Sequence, residues 1–456
     1  MIKLQRSPGR WRTALAAALV AALALVATAP AWAADPPERI ATRLLDQLDA
    51  GDYAAAEAGF TAQMAAAVPA AKLEAVWESL PAQAGAAQGR GQPEVAVQGG
   101  ITLVTVPLHH ANAELVAKIA IDGDGKVTGF LVQPAPPPPA AAPGADAGFD
   151  ERDFVVGGAE SASGALPGTL AMPSGASTQA PVPAVVLVHG SGPHDRDETI
   201  GPNRPFLDIG RGLAARGIAV LRYDKRTHAR PQDFADGDYG IDDETTDDAV
   251  AAVAALAAVD GIDPARLFVL GHSQGGMLAP RIAQRSGQVA GLVLLAAPAR
   301  PLLDILVEQN IRLAVLDDGR TSDEEKTAIA TLRQQVQAVR AGGDVALADS
   351  PMRQSADYWR STEAVEPVAE AKAAALPMLV LQGARDIQVV DADWQRWKGG
   401  FHDDPKVTFK LYPTLNHLGI AVETDGDLKQ YTIPGHVDAQ LIADTAAWIE
   451  AQPPAH

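Results

Sequence analysis

The stretch RLFVLGHSQGGMLAP, residues 266–280, holds a single serine, Ser273, where one structural pattern gives way to another. The apolar run before it is typical of a buried strand, and GGMLAPRIAQR after it is typical of a helix. Gly271 and Gly275 stand two residues to either side of the serine. Backbone atoms crowd at a sharp strand-to-helix turn, so small residues are needed there, and Gly-x-Ser-x-Gly in this setting is a nucleophile elbow. We therefore predict that Ser273 is a nucleophile and not a bystander in a glycine-rich turn.

A serine hydroxyl becomes a good nucleophile only when a base removes its proton, and that base is expected to be a histidine oriented by an acid. For an elbow serine the chain order is serine, acid, histidine. His417 follows the predicted strand VTFKLYP in the segment NHLGI, where a loop would bring it over the sheet edge. His436, at the start of a predicted last helix over 434–451, is the alternative. We predict that His417 is the base.

The acid is expected after the preceding strand. In PMLVLQGARDIQV, Asp386 stands just past the strand end. Asp391 and Asp393 come a few residues later and are predicted to begin the next helix, near 391–400. Asp386 is therefore the predicted partner of the histidine.

Attack on a carbonyl builds negative charge on its oxygen, which two backbone N–H groups normally stabilise. One is the group after the nucleophile, on Gln274. The other is expected from the loop after an earlier strand, in VVLVHGSGPHDRDE, where we choose Ser191, with Gly190 as the alternative. His189 in the same loop is expected to shape it.

From about residue 150, Val- and Leu-rich runs alternate with amphipathic helical segments, which predicts an α/β fold with a mostly parallel central sheet covered by helices on both faces. The interval 299–375 is too long for one crossover and predicts a helical cap insertion above the carboxyl ends of the strands. Within the insertion, Tyr358 and Trp359 are candidates for a pocket wall, whereas Trp394 and Trp397, on the later helix, suit core packing.

Two segments precede this domain. Residues 34–133 carry helical patterns and then alternating strands joined by a turn at DGDG, which predicts a small α+β domain. Residues 134–149 are rich in Pro and Ala and predict a semi-rigid linker.

The first 33 residues combine a basic start, an apolar stretch and the ending Ala31-Trp32-Ala33, the three parts of a cleavable signal peptide. We therefore expect a periplasmic or secreted protein with no stable membrane association after cleavage. Loss of the 4 basic residues in that segment changes the net charge from −19 to −23. So acidic a protein is a poor ligand for nucleic acid. The chain has no cysteine, which excludes disulfides and thiol catalysis, and its histidines show no metal-binding spacing.

The motifs HGSGPHDRDE, VLRYDKR, GHSQGG, QGARDIQV and NHL together resemble the α/β-hydrolase superfamily, and within it bacterial esterases of the dienelactone-hydrolase and prolyl-oligopeptidase-like branch. The resemblance implies a Ser273–Asp386–His417 triad and hydrolysis of small esters through an acyl-enzyme, with no cofactor or metal. One departure is YDKRTHARPQDF, which lacks the glycine-rich turn that related sequences often have there. The amino-terminal region resembles a small domain of unknown function, of the nuclear-transport-factor-like type, that precedes some secreted hydrolases.

Two other hypotheses remain open. The same triad serves a peptidase or an acyltransferase, although prolyl-peptidase relatives usually carry a large propeller that about 100 residues cannot form. A hydrolase fold can also persist as a binding scaffold without activity.

Overall fold

The computed structural model describes residues 35–98, 101–135, 137–138, 140–157, 164–234, 237–316, 319–424 and 428–454, so the predicted signal peptide lies outside the described residues. The described chain divides into two compact units, one built within residues up to 131 and the other including everything from residue 132 onward. The domain boundaries given above stay predictions. Within the described ranges, no helix has both the length and the apolar character needed to cross a membrane.

The amino-terminal region contains helices followed by strands, as its sequence pattern predicts. The helices are α1 (Pro37–Asp49), α2 (Tyr53–Ala58), α3 (Ala62–Ala67) and α4 (Ala70–Ala84). The strands are β1 (Ala87–Arg90), β2 (Glu94–Gln98), β3 (Ile101–His110), β4 (Glu114–Ile121) and β5 (Val127–Pro134). Strand β3 pairs antiparallel with β1 and β2, and β4 lies between β3 and β5. Between β4 and β5, Asp122 Oδ1 accepts the N–H groups of Asp124 and Lys126, which closes the turn predicted at DGDG.

The larger unit is built on one mixed sheet. Its strands are β6 (Phe149–Val156), β7 (Leu166–Pro173), β8 (Val182–Val188), β9 (Ala219–Tyr223), β10 (Ile262–His272), β11 (Gly291–Leu295), β12 (Met378–Gly383) and β13 (Val407–Tyr412). Their order is β13-β12-β11-β10-β8-β9-β7-β6. The pairs from β13 to β9 are parallel, and β7 and β6 extend the sheet antiparallel. The carboxyl ends of the parallel strands therefore meet at one edge.

Helices cover this sheet and fill the predicted insertion. They are α5 (Pro205–Ala214), α6 (Arg226–Ala229), α7 (Asp247–Ala257), α8 (Gln274–Ser286), α9 (Leu302–Leu316), α10 (Asp323–Ala341), α11 (Ala356–Glu363), α12 (Pro367–Ala374), α13 (Asp391–Phe401) and α14 (Ala439–Ala451). A π-helical segment, Asp242–Thr246, leads into α7. Helix α10 begins with a capping box, in which Ser322 and Glu325 each bind the other's backbone N–H.

Both faces of the sheet are buried. On β8, Val185 and Leu187 pack with α5 and α14, whereas Val186 and Val188 face the other way and pack with α7 and α8. Successive strand residues point to opposite faces, so a strand covered on both sides must be apolar throughout. The predicted parallel sheet with helices on both faces is thereby confirmed.

The last helix begins later than predicted. The segment 434–438 precedes α14, because Asp438 caps it by accepting the N–H groups of Gln440 and Leu441. Gly435 and Val437 instead bond to Asn203 and Asp208. The prediction of a helix from residue 434 is wrong, since these backbone groups are used by another loop.

Candidate active site

Ser273 occupies a strained turn between β10 and α8. Its φ of 51° and ψ of −121° lie outside the regions favoured by residues with a side chain, a strain of about 1–3 kcal/mol. A Cβ atom on Gly271 would lie 2.2 Å from the carbonyl oxygen of Gly275. One on Gly275 would lie 2.2 Å from the carbonyl oxygen of Val188. Only glycine fits at both positions, as expected for a nucleophile elbow.

Asp386 and His417, on the loops after β12 and β13, are in direct contact. Asp386 Oδ2 lies 2.8 Å from His417 Nδ1 and also accepts the side-chain amide of Gln382 at 3.2 Å. Oδ1 of the same carboxylate accepts the N–H groups of Gln388 and Val389 at 2.8 and 3.0 Å. Because an ionised carboxylate only accepts hydrogen bonds, the proton between the two residues belongs on Nδ1, and Nε2 is left as the basic atom.

Ser273 shares one cavity of about 550 Å³ with both predicted oxyanion residues, Gln274 and Ser191. Gln274 is the first residue of α8, so its N–H has no partner within the helix. The N–H of Gly190, the alternative to Ser191, donates to Glu198 Oε1 at 2.7 Å. That N–H is therefore already bonded, which favours Ser191 as the second donor.

The helical insertion supplies much of the cavity wall. Tyr358 and Trp359 both line the cavity, as their position suggested, and Trp394 and Trp397 are buried in the core. Apolar side chains make up much of the wall: Pro193, Pro231, Phe234, Pro298, Leu302, Ile305, Leu306, Met352, Trp359 and Val389. The loop that lacks the glycine-rich turn forms α6 and a short 3₁₀ segment, Pro231–Phe234. The cavity suits a small, largely apolar molecule.

The alternative acid and base residues have other roles. His436 is largely exposed, and its Nδ1 lies 3.1 Å from Asp208. Asp391 begins α13. Asp393 is fully buried, where it accepts the Ala299 N–H and pairs with Arg300 at 2.8 Å. These contacts leave Asp386 and His417 as the pair at the strand ends. In the described part of the chain, no group of three or more His, Asp or Glu side chains has the arrangement of a metal site.

A buried ion pair, Glu198 with His272, was missed from the sequence. Glu198 Oε2 lies 3.0 Å from His272 Nδ1, and His272 Nε2 lies 2.9 Å from the carbonyl oxygen of His417. Burial by itself would raise the pKa of Glu198, but the charge and contact of His272 lower it to about 2. Burial would lower the pKa of His272, yet Glu198 holds it above its usual value. The pair thus links the loop of Gly190 to the loop of His417.

A second buried pair, Lys225 with Glu244, was also missed. Lys225 Nζ lies 3.0 Å from Glu244 Oε1, and both side chains are less than a tenth exposed. Glu244 Oε2 accepts the hydroxyl of Tyr358, which in turn accepts the side-chain amide of Gln274. In sequence, Glu244 lies in the acidic run DDETTDD, which by itself indicates a solvated surface. The position of Lys225, two residues after the end of the buried strand β9, is the signal that could have identified it.

A parallel sheet with a serine elbow, followed in chain order by an aspartate and a histidine in contact at its carboxyl edge, defines an α/β-hydrolase. Residues 179–425 match the family described as serine aminopeptidase, S33, and the chain belongs to that family. The predicted superfamily is thereby confirmed. Residues 41–130 match a family described as a protein of unknown function, which confirms the resemblance of the amino-terminal region to such a domain.

Named relatives have also been found for this chain. It is 34% identical over 389 residues to Esterase EstD of Thermotoga maritima, covering 85% of this chain and 89% of the relative. Among solved structures, Est1E from Butyrivibrio proteoclasticus aligns with 66% of this chain and 99% of its own at 15% identity and a TM-score of 0.42. A puromycin-hydrolyzing peptidase of Mycobacterium tuberculosis aligns with 79% of this chain and 47% of its own at 17% identity and a TM-score of 0.44. Neither structural likeness bears on the reaction.

Proposed function

We propose that the protein is a serine hydrolase that cleaves small carboxylic esters through an acyl-enzyme on Ser273. The observation that carries the proposal is the strained elbow of Ser273, which lines one cavity with Gln274 and Ser191. The relative named as an esterase, aligned over most of both chains, supports ester chemistry.

The reaction follows from the atoms available. Ser273 Oγ attacks the acyl carbon while His417 Nε2 takes its proton, and Asp386 stabilises the imidazolium that forms. The N–H groups of Gln274 and Ser191 stabilise the negative oxygen of the tetrahedral intermediate. The C–O bond to the alcohol then breaks, and His417 delivers its proton to the departing oxygen.

The second half repeats these steps with water. His417 takes a proton from water as the water oxygen attacks the acyl-enzyme, and the bond from the acyl carbon to Ser273 Oγ breaks. The proton passes to Ser273, the carboxylic acid leaves, and the enzyme is restored. Neither half requires a cofactor or a metal.

The test is hydrolysis of p-nitrophenyl esters from acetate to palmitate by the wild type and by Ser273→Ala. The proposal expects activity at short acyl chains, because the cavity is about 550 Å³, and loss of that activity in the variant. Full activity in Ser273→Ala would rule out the acyl-enzyme.

Peptidase activity is the second candidate, because the matched family is described as a serine aminopeptidase. A fluorogenic dipeptide assayed beside the best ester separates the two reactions. Transfer of the acyl group to an added alcohol would identify an acyltransferase. Failure of a fluorophosphonate probe to label the protein would indicate a scaffold without activity.

We also propose that residues 1–33 direct export and are then removed. The basic start, apolar stretch and Ala31-Trp32-Ala33 ending support this. Amino-terminal sequencing of the protein recovered outside the cytoplasm is expected to begin at Ala34, and an intact Met1 terminus there would contradict cleavage.

A further inference from the structure

Lys225 is a buried lysine that takes no part in the proposed steps of ester hydrolysis. Lys225 lies two residues after the end of β9, with Asp224 between them, and it is 2% exposed. Transfer of an ammonium group out of water is costly unless nearby oxygen atoms replace the lost hydration. Three oxygen atoms do so: Gly190 O at 2.9 Å, Glu244 Oε1 at 3.0 Å and Gln274 Oε1 at 3.3 Å.

Two of these three oxygen atoms belong to the predicted oxyanion site. Gly190 O lies in the loop of Ser191, and Gln274 Oε1 belongs to the residue that supplies the other donor. Gly190 precedes Ser191, and its carbonyl shares a peptide group with the Ser191 N–H. In a trans peptide the C=O and the N–H point in opposite directions. An ammonium that holds the Gly190 carbonyl therefore also fixes the direction in which the Ser191 N–H points.

Gly190 is held on both sides by opposite charges. Its N–H donates to Glu198 Oε1 at 2.7 Å, and its C=O accepts from Lys225 Nζ at 2.9 Å. Both side chains are buried, so neither interaction is screened by water. Glycine lacks side-chain restraint of its own backbone, and these two contacts supply that restraint at Gly190.

The Lys225 ammonium also strengthens the Ser191 N–H as a hydrogen-bond donor. A positive charge on a carbonyl oxygen polarises the peptide group, which makes its N–H a better hydrogen-bond donor. Lys225 also contacts the side-chain oxygen of Gln274, whose backbone N–H is the other predicted donor. One ammonium thus contacts the peptide group that carries the Ser191 N–H and the side chain of Gln274.

The lysine is itself held in place. Glu244 lies 3.0 Å from Nζ and is presented by the π-helical segment Asp242–Thr246. Single-turn π segments occur frequently at functional sites. Tyr358, from the helical insertion, donates to the other oxygen of Glu244 at 2.9 Å.

We propose that Lys225 is a positioning residue of the oxyanion hole, which orients and polarises the Gly190–Ser191 peptide toward the negative oxygen of the intermediate. This rests on the proposed function, since it assigns a role within ester hydrolysis. Because the Ser191 N–H that Lys225 orients stabilises mainly the charge that develops on the carbonyl oxygen, loss of Lys225 is expected to lower kcat and leave KM nearly unchanged. Removal of a direct oxyanion donor lowers kcat about 10²–10³-fold, and an indirect contact is expected to approach the lower end of that range.

The experiment compares an ester with its thiono counterpart, in which the carbonyl oxygen is replaced by sulfur. Sulfur is larger and a weaker acceptor, so it gains little from oxyanion donors. The wild type is expected to prefer the oxygen ester strongly, and Lys225→Met is expected to lose most of that preference together with kcat. A purely structural lysine would leave the oxygen-to-sulfur ratio unchanged.

Two further variants secure the result. Lys225→Met leaves Glu244 as an unpaired buried anion. The double variant Lys225→Met with Glu244→Gln removes both charges, so it is expected to fold, and the ratio is measured in it again. Arg226→Met removes the next cation along the chain, which is also buried and pairs with Asp248. It is expected to retain the wild-type ratio.

The outcomes are distinguishable. A wild type that hydrolyses no ester overturns the proposed function and, with it, the role of Lys225. An active wild type whose ratio is unchanged in both Lys225 variants overturns the role of Lys225 alone. A fall in the ratio in Arg226→Met of the same size would also overturn it.

Discussion

Glu198 and His272 form a buried ion pair, with Glu198 Oε2 3.0 Å from His272 Nδ1. Through this pair the loop that contains Ser191 is connected to the histidine that precedes Ser273. His272 in turn contacts the backbone carbonyl of His417 at 2.9 Å. Three loops that are far apart in sequence are therefore held together by two charged side chains.

The first prediction concerns Glu198→Gln. The amide can still accept the Gly190 N–H, but the negative charge that raises the pKa of His272 is gone. The pKa of His272 is expected to fall below 6.5, since burial then dominates. Breaking a buried pair costs up to about 3–5 kcal/mol, and loss of the His272 proton reduces this cost. NMR titration of labelled histidines and urea unfolding measure both effects, with Glu324→Gln, at an exposed position of α10, as the control. An unchanged His272 titration would disprove the pairing.

The second prediction concerns the orientation of His417. Asp386→Asn can donate to Nδ1 and so stabilises the wrong tautomer, which is expected to lower kcat about 10⁴-fold with the fold intact. Asp393→Asn is the matched control, because Asp393 is also a buried aspartate but lies in the first turn of α13 and pairs with Arg300. It is expected to lose stability and keep its kcat. Ester kinetics with circular dichroism distinguish the two, and equal loss of kcat in both variants would contradict the assignment.

The third prediction concerns the elbow. In Gly275→Ala the new Cβ would lie 2.2 and 2.6 Å from the carbonyl oxygens of Val188 and His189, both rigid backbone. We expect a loss of more than about 4 kcal/mol in the free energy of unfolding, or no folded protein. Gly287→Ala, at the end of α8, has a φ of 63° but open space around its Cβ, so it is expected to lose only about 1–2 kcal/mol. Chemical denaturation compares them, and similar losses would show that the turn can relax.

The fourth prediction concerns stability in acid. Burial lowers the pKa of His189 to about 3, whereas in the unfolded chain it is about 6.5. Between these values the unfolded chain binds one proton more than the folded chain, so stability falls as pH falls from 6.5 to 3. The slope from this residue is at most about 1.4 kcal/mol per pH unit.

His189→Gln, whose amide can donate to the Asp195 carbonyl as Nε2 does, is expected to remove that slope. Exposed His402→Gln is the control, and urea unfolding across this pH range is the measurement; an unaltered slope would show that another group dominates.

The fifth prediction concerns acyl-chain preference. Leu306 of α9 lines the cavity, and Val315 on the same helix is exposed. Leu306→Ala enlarges the cavity, so the ratio of kcat/KM for octanoate to that for butyrate is expected to rise about 10-fold or more. Val315→Ala is expected to leave that ratio unchanged. A constant ratio in Leu306→Ala would place the acyl group against a different wall.

Much of the candidate site was predictable because each residue of the predicted triad follows an apolar run within a few residues. Ser273, Asp386 and His417 follow β10, β12 and β13, and the carboxyl ends of parallel strands share one edge. Local pattern and chain order were sufficient for these positions, and the structure brings Asp386 and His417 into contact.

The buried charges could not be predicted in the same way. Charged side chains are rarely buried unless they are paired, and the partners here are far apart in sequence: Glu198 with His272, and Lys225 with Glu244. The π-helical segment that presents Glu244 has no local sequence signal, since it depends on how neighbouring elements pack. The start of α14, by contrast, could have been predicted. Asp438 is a recognisable helix cap, but the helical periodicity of the segment led to a predicted start at residue 434.

The cavity wall has a consequence for how such proteins diversify. The proposed reacting groups stand at the ends of strands, whereas Leu302, Ile305 and Leu306 belong to a segment inserted between β11 and β12. Substitutions in that segment can change which substrates the cavity accepts while the proposed reacting groups stay the same. Exchanging α9 to α11 between homologues is therefore a direct route to new selectivities. Because the chain contains no cysteine, a single cysteine introduced into this segment could be labelled without background and would report its movements.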